Sequence, residues 1–141
     1  MLSSLKIAIV EDHEDLRELF VDFLREQSHD VAGFCSADDL DDHLACQDVD
    51  LLILDLNLPG EDGFSIARRL RSVHLGLHII MVTARTAVEE RIKGYASGAD
   101  LYLSKPVSPA ELAAAVGSVA RRVCDAAKQN TKLMLDTVRL V

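Results

Sequence analysis

Short apolar runs alternate with amphipathic stretches along the whole chain. Leu5 to Val10 is continuous, β-branched and too short for a helix, which predicts a strand buried on both faces. Glu14 to Gln27 repeats at helical spacing, with Leu16, Leu19, Phe20, Phe23 and Leu24 on one face and Arg17, Glu18, Asp22 and Arg25 opposite. Asp30 to Cys35 reads as a weaker strand. Ser36 is placed to cap a helix carrying Leu40 and Leu44, with Asp38 and Asp39 favourable in its first turn. Asp50 to Leu54 predicts a central strand, and Phe64, Ile66, Ala67 and Leu70 form the buried stripe of the helix that follows, with Arg68, Arg69 and Arg71 towards its C-terminal end. His78 to Val82 is another buried strand, followed by a helix from about Ala87 to Ala96. Gly98 breaks the chain before a short strand, Asp100 to Leu103. Ser108-Pro109-Ala110-Glu111 is a capping box with proline at the first helical position, opening a helix that runs through Leu112, Val116 and Val119 to about Val123.

Five strands alternating with five helices imply an α/β fold, a parallel sheet with helices on both faces. In such a sheet ligands bind outside the carboxyl ends of the strands. The repeating unit occupies residues 1–123, and residues 124–141 do not fit it. Asp125 to Thr131 is small and polar and reads as a linker or helix tail. Lys132 to Val141 alternates like a strand that has no partner left in the chain.

Hydrophobic residues make up 49% of the 141 and charged residues 27%, as expected of one globular domain. The net charge of -8, from 23 acidic and 15 basic residues, excludes a domain that binds nucleic acid over its whole surface, because that requires a basic face. Cys35, Cys46 and Cys124 show no metal-type spacing and read as reduced thiols. Residues 1–20 carry no secretory pattern and no apolar run reaches about 18 residues, so a soluble, cytoplasmic chain without a membrane segment is expected.

The charge is not scattered. Glu11-Asp12 follows the first strand, Asp55 the third and Lys105-Pro106 the fifth, so three charged clusters meet at one end of the sheet. Glu11, Asp12 and Asp55 are hard oxygen ligands suited to magnesium. Without a cation, three carboxylates this close would force at least one to hold a proton. Glu11-Asp12 has an alternative reading as a cap of the first helix. Asp55 has none, since no helix starts near it and Pro59-Gly60 turns the chain away. Lys105 is placed to pair with Asp55 or with a phosphoryl group on it, and Thr83 ends the fourth strand with a hydroxyl at the same place.

These residues resemble the receiver domain of two-component response regulators. The resemblance rests on Val10-Glu11-Asp12, on Leu54-Asp55-Leu56-Asn57-Leu58-Pro59-Gly60 with Asp62-Gly63, on Val82-Thr83-Ala84 and on Lys105-Pro106, in order over about residues 5–123. It implies a flavodoxin-like (βα)5 sheet of order 2-1-3-4-5. It further implies that Asp55 accepts a phosphoryl group from the phosphohistidine of a sensor histidine kinase. Asp12 and Asp55 would bind magnesium directly (manganese can substitute), Glu11 through water and Asn57 through its backbone carbonyl. Lys105 and Thr83 would hold the phosphoryl oxygens, and Thr83 with Tyr102 would form the switch.

Ile79 to Arg85 and Lys105 to Leu112 are most similar to the OmpR/PhoB-type branch, in which a winged-helix DNA-binding domain follows and transcription is the output. Leu133 to Asp136 and Arg139-Leu140 resemble the first strands of that domain. Members of the branch dimerise through the face made by helix 4, strand 5 and helix 5. Arg91 and Glu111 match one charge pair there and Asp100 another acid, while Leu101 and Ala115 depart from the pattern. His13 and Arg85 flank the site and read as solvated loop residues. A stand-alone receiver acting by protein contacts is the alternative output. An aspartate-nucleophile phosphatase fits poorly, because Asn57 and Pro59 occupy positions where that family needs Asp and Thr. A nucleotide module lacks any GxxxxGK[ST] or GxGxxG run.

Overall fold

The computed structural model describes residues 4–85 and 87–139. Its elements follow in the order β1 (Lys6–Val10), α1 (Glu14–Glu26), β2 (Asp30–Phe34), α2 (Ala37–Leu44), β3 (Leu51–Leu54), α3 (Gly63–Val73), β4 (His78–Thr83), α4 (Val88–Ala96), β5 (Leu101–Ser104) and α5 (Pro109–Arg139). All strand pairs are parallel, in the order β2-β1-β3-β4-β5. The inner strands β1, β3 and β4 are nearly continuous apolar runs because both faces are covered, whereas the edge strand β2 buries only Val31. Alternate residues face opposite sides. Ile7, Ile9, Leu51, Ile53, Ile80 and Val82 pack under α1 and α5, with Phe20, Leu24, Leu112, Val116 and Val119. Ala8, Val10, Leu52, Leu54, Ile79, Met81 and Tyr102 pack on the other side, with Leu40, Phe64, Ile66 and Leu70.

The helix starts follow local chemistry. The Ser36 hydroxyl accepts from Asp39 N at 3.4 Å, the Ser108 hydroxyl from Glu111 N at 3.1 Å, and the Asp62 carboxylate from Phe64 N at 3.2 Å, each satisfying an amide that the first helical turn leaves open. Gly60 adopts φ +91°, a conformation that costs glycine little and turns the chain away from the strand end.

Three expectations from the pattern need correction. In α1 the buried residues are Phe20, Val21 and Leu24, while Leu19 is 55% exposed. The helix is rotated so that Val21 reaches Gly33 on β2, where the missing side chain leaves room. Helix α5 does not stop near Val123, and Lys132 to Arg139 is helical and not a strand. No glycine or proline follows Gly117, the stretch is rich in Ala, Lys, Gln, Leu and Met, and propagating a formed helix costs less than starting a strand that has nothing to pair with. Leu140 and Val141, the end of the strand-like stretch, lie outside the described residues. Among the described residues no helix is long and apolar enough to cross a membrane. Cys35 and Cys46 are exposed free thiols and Cys124 is half-buried.

Candidate functional site

Register brings the charged clusters together. Val10 lies beside Leu54, and Leu54 beside Met81. The ladder continues one residue past each end: Glu11 N donates to Phe34 O at 3.0 Å, Asp55 N to Val10 O at 3.1 Å and Lys105 N to Thr83 O at 2.8 Å. Glu11, Asp55 and Lys105 are therefore held by backbone bonds at the rim of the sheet. The site spans the β1–β3 junction, where the strand order reverses.

Side chains close the cluster. Lys105 Nζ donates to Glu11 Oε1 at 2.6 Å and to Asp55 Oδ2 at 3.1 Å. Asp55 Oδ1 accepts from Asn57 N at 3.0 Å. Glu11 and Asp55 are buried, at 3% and 5% exposure, whereas Asp12 is exposed. Burial favours the neutral acid at both buried sites. At Asp55 the hydrogen bonds from Glu11, Asn57 N and Lys105, with the lysine charge, overcome burial and hold the carboxyl below its ordinary value. At Glu11 burial and the neighbouring Asp55 win, and its pKa rises to about 7. The ammonium of Lys105 is also favoured: burial works against its charge, but the hydrogen bonds and charges of Glu11 and Asp55 raise its pKa. The cluster is thus an ionised Asp55, a charged Lys105 and a Glu11 that holds a proton up to neutrality.

A divalent cation fits this arrangement. Glu11, Asp12 and Asp55 offer carboxylate oxygens within 4.8 Å of one another, and Glu11 Oε2 is buried with no hydrogen-bond partner. A hydrated hard cation would supply that partner and displace the proton.

Thr83 and Tyr102 are joined through the backbone of Arg85. Thr83 is fully buried, and its Oγ1 accepts from Arg85 N at 3.1 Å. Tyr102 is turned inward, 8% exposed, and its hydroxyl donates to Arg85 O at 2.8 Å. Its ring lies against Gly94, where a Cβ would stand 2.7 Å from Tyr102 Cδ2.

Two flanking residues, for which solvated loop roles are expected, have definite partners, and His13 is exposed as expected. His13 caps α1, accepting from Leu16 N at 3.3 Å, so the cap of that helix is His13 and not Glu11-Asp12. Arg85 is half-buried. Its Nε donates to Asn57 Oδ1 at 2.9 Å, and its NH1 lies 3.4 Å from Glu90 Oε2 and 3.8 Å from Asp62 Oδ1. The sequence signal was available only as a cation two residues past Thr83, facing an amide two residues past Asp55.

On the α4–β5–α5 face, Arg91 and Glu111 are exposed. Asp100 is engaged within the chain: its Oδ2 accepts from Arg71 NH2 at 2.8 Å and from Ile79 N at 2.7 Å. Arg71 also donates to the carbonyls of Leu77 and Gly98. Leu101 is half-buried and Ala115 buried.

The family model of the response regulator receiver domain matches residues 7–117. The chain is 40% identical over 145 residues to the transcriptional regulatory protein CusR of Escherichia coli, covering 95% of this chain and 61% of that protein. It is 38% identical over 117 residues to the transcriptional regulatory protein BaeR of Escherichia coli, covering 83% and 48%. The chain therefore spans about half to three-fifths of the length of these curated relatives. Among solved structures, the BeF3-activated DrrB receiver domain superposes with a TM-score of 0.78 at 27% identity, covering 84% of this chain and 99% of that one. A CheY-like receiver from Methanospirillum hungatei gives 0.82 at 23% identity, covering 87% and 98%, a likeness of fold.

Proposed function

The chain belongs to the response regulator receiver domain family of two-component systems, and from that premise we propose that Asp55 is its phosphoacceptor and a sensor histidine kinase its donor. The observation that carries the reading is the Lys105 ammonium bridging Glu11 and Asp55, beside an Asp55 kept ionised in a buried place. An ionised Asp55 oxygen attacks phosphorus, the P–N bond to the kinase imidazole breaks, and its electron pair stays with the imidazole. Lys105 offsets the negative charge gathered on the phosphoryl oxygens, and the Thr83 hydroxyl donates to one of them after transfer. Asp55 is consumed and regenerated by hydrolysis, so the domain is a recipient and not a classical enzyme.

Glu11, Asp12, Asp55 and the carbonyl of Asn57 would hold magnesium, or manganese in its place. The ion when bound supplies charge neutralisation at the transferring group. Glu11, once its proton is lost, would hold the ion through water.

Charge placed on Asp55 is read through Thr83 and Tyr102 to the α4–β5–α5 face. Homodimerisation there uses Arg91 and Glu111, with Asp100 retained by Arg71. The output is DNA-binding regulation of transcription in the cytoplasm, through a winged-helix domain that residues 124–141 lead into. CusR and BaeR, longer than this chain and both transcriptional regulatory proteins, support this reading.

Incubation with magnesium and a small phosphodonor is expected to give one phosphoryl adduct by mass spectrometry, absent in Asp55→Asn. An adduct that survives this substitution would overturn the assignment. Reading the coding sequence past Val141 tests the output, and a stop codon there rules out a winged helix in this polypeptide.

A further inference from the structure

Arg85 touches both halves of the proposed relay. Its backbone N–H and carbonyl bind Thr83 and Tyr102. Its side chain spans from Asn57 to Glu90, the third residue of α4. Asn57 in turn donates its backbone N–H to Asp55. The guanidinium is thus two hydrogen bonds from the carboxylate at the centre of the site.

Helix α4 depends on that contact. Its N-cap residue is Ala87, with no capping side chain. A glutamate at the third position often reaches back to the cap, but Glu90 turns to Arg85 instead. The helix buries only Gly94, while Val88, Ile92 and Tyr95 are exposed. A second polar attachment is Lys93 over the Phe64 ring at 4.7 Å. Few apolar contacts hold its first turn, so one ion pair there changes its opening measurably.

We propose that Arg85 is a latch between the carboxylate site and α4. With Asp55 free the guanidinium is divided between Asn57 and Glu90. A phosphoryl group on Asp55, a stronger and bidentate acceptor, recruits it and releases Glu90, loosening the first turn of α4. This rests on Asp55 being the phosphoacceptor. The attraction is charge-assisted and suits the planar arginine fork better than a lysine. Arg85 is a positioning residue in this scheme, acting on α4 through Glu90.

The test is amide hydrogen exchange at Arg91, Ile92 and Lys93, in the free protein and at saturating beryllium fluoride with magnesium, with occupancy followed by fluorine NMR. In the wild type, at concentrations low enough to keep the loaded protein monomeric, loading is expected to speed exchange at these amides about two- to fivefold. Arg85→Ala and Glu90→Gln are expected to be faster by a similar factor already in the free protein, and to show little further change on loading. Arg85→Lys is expected to recover part of the free-state protection. The latch is overturned if free Arg85→Ala exchanges like the wild type, or if it keeps the full response to loading. Absence of bound beryllium fluoride in the wild type would count against the Asp55 reading instead, and the free-state comparison still decides whether Arg85 holds α4.

Discussion

Helices α3 and α4 leave adjacent strands of the same sheet and cover the same side, yet they are held in different ways. Of the residues of α3, Gly63, Phe64, Ile66, Ala67 and Leu70 are buried. Asp62 caps it, Arg69 ties it to Glu61 and Asp41, and Arg71 staples its end to Gly98 and Asp100. Helix α4 buries Gly94 alone, has no capping side chain, and is joined by an arginine–glutamate pair and a lysine over a ring. Topology does not separate the two. What separates them is apolar anchoring, and the weakly anchored helix is the one beside Thr83 and Tyr102. The proposed relay needs an element that can shift for a few kcal/mol, and α4 is the more weakly anchored of the two.

The largest expected effect tests that anchoring. Leu70→Ala should cost about 2–5 kcal/mol of stability, from lost burial and the cavity left behind. Ile92→Ala, on the exposed side of α4, should stay within about 0.5 kcal/mol. Equal shifts of the denaturant midpoint would break the comparison.

A second test asks whether the glycine contact is the main anchor of α4. An added methyl at Gly94 would stand 2.7 and 2.9 Å from the Tyr102 ring and 3.2 Å from Met81 Sδ. Alanine is the better helix former by about 1 kcal/mol, but the overlap should win, and Gly94→Ala should destabilise by about 1–3 kcal/mol. Gly117→Ala is the control: its nearest neighbour is 3.9 Å away, so it should stabilise by about 0.4–1 kcal/mol. The same sign for both would show that Tyr102 yields freely and that α4 is held by something else.

Neither glycine's part was legible in the sequence, and the reason is physical. The strands, their ends and hence the carboxylate–lysine cluster follow from short apolar runs, whose length and period leave little choice. The family motif then gave each residue of that cluster a role. Gly94 and Arg85 act through contacts between β4, β5 and α4 that no local pattern encodes. Leu19 and Val21 flank the Phe20–Leu24 stripe on opposite edges, and the gap over Gly33 decides that the Val21 edge is the buried one. The tail misled because its alternation speaks for a strand while its composition and continuity with α5 speak for a helix.

Charge at the carboxyl end of the sheet adds a cost separate from anchoring. In the metal-free protein Glu11 titrates near 7 when folded, above its ordinary 4.5. The folded state therefore binds more protons between these values, and the stability Glu11 contributes, complete below 4.5, is lost as pH rises through 7. His29, whose pKa is lowered from 6.5 by burial, slopes the other way just below 6.5 and is common to both proteins compared. Glu11→Gln should thus gain on the wild type between about pH 5 and 8, by on the order of 1–2 kcal/mol, in denaturant titrations with chelator present. A pH-independent difference would remove charge as the source of weakness at this end and leave anchoring alone.

The smallest effect is the sharpest, because the two helix starts share a backbone. Asp62 stands at φ -63°, ψ 142° and Ala87 at φ -61°, ψ 145°. Both are extended residues ready to cap, and only Asp62 carries an acceptor. Asp62→Ala should cost about 1 kcal/mol, and Ala87→Ser should return about 0.5–1 kcal/mol by taking an open amide of the first turn of α4. The global gain will be modest, since α4 contributes little apolar burial. The local gain should be plain, with exchange at Arg91 to Lys93 slowed about two- to fivefold. If Ala87→Ser leaves that exchange unchanged, the start of α4 is already satisfied. The contrast with α3 would then rest on buried side chains alone and not on the missing cap.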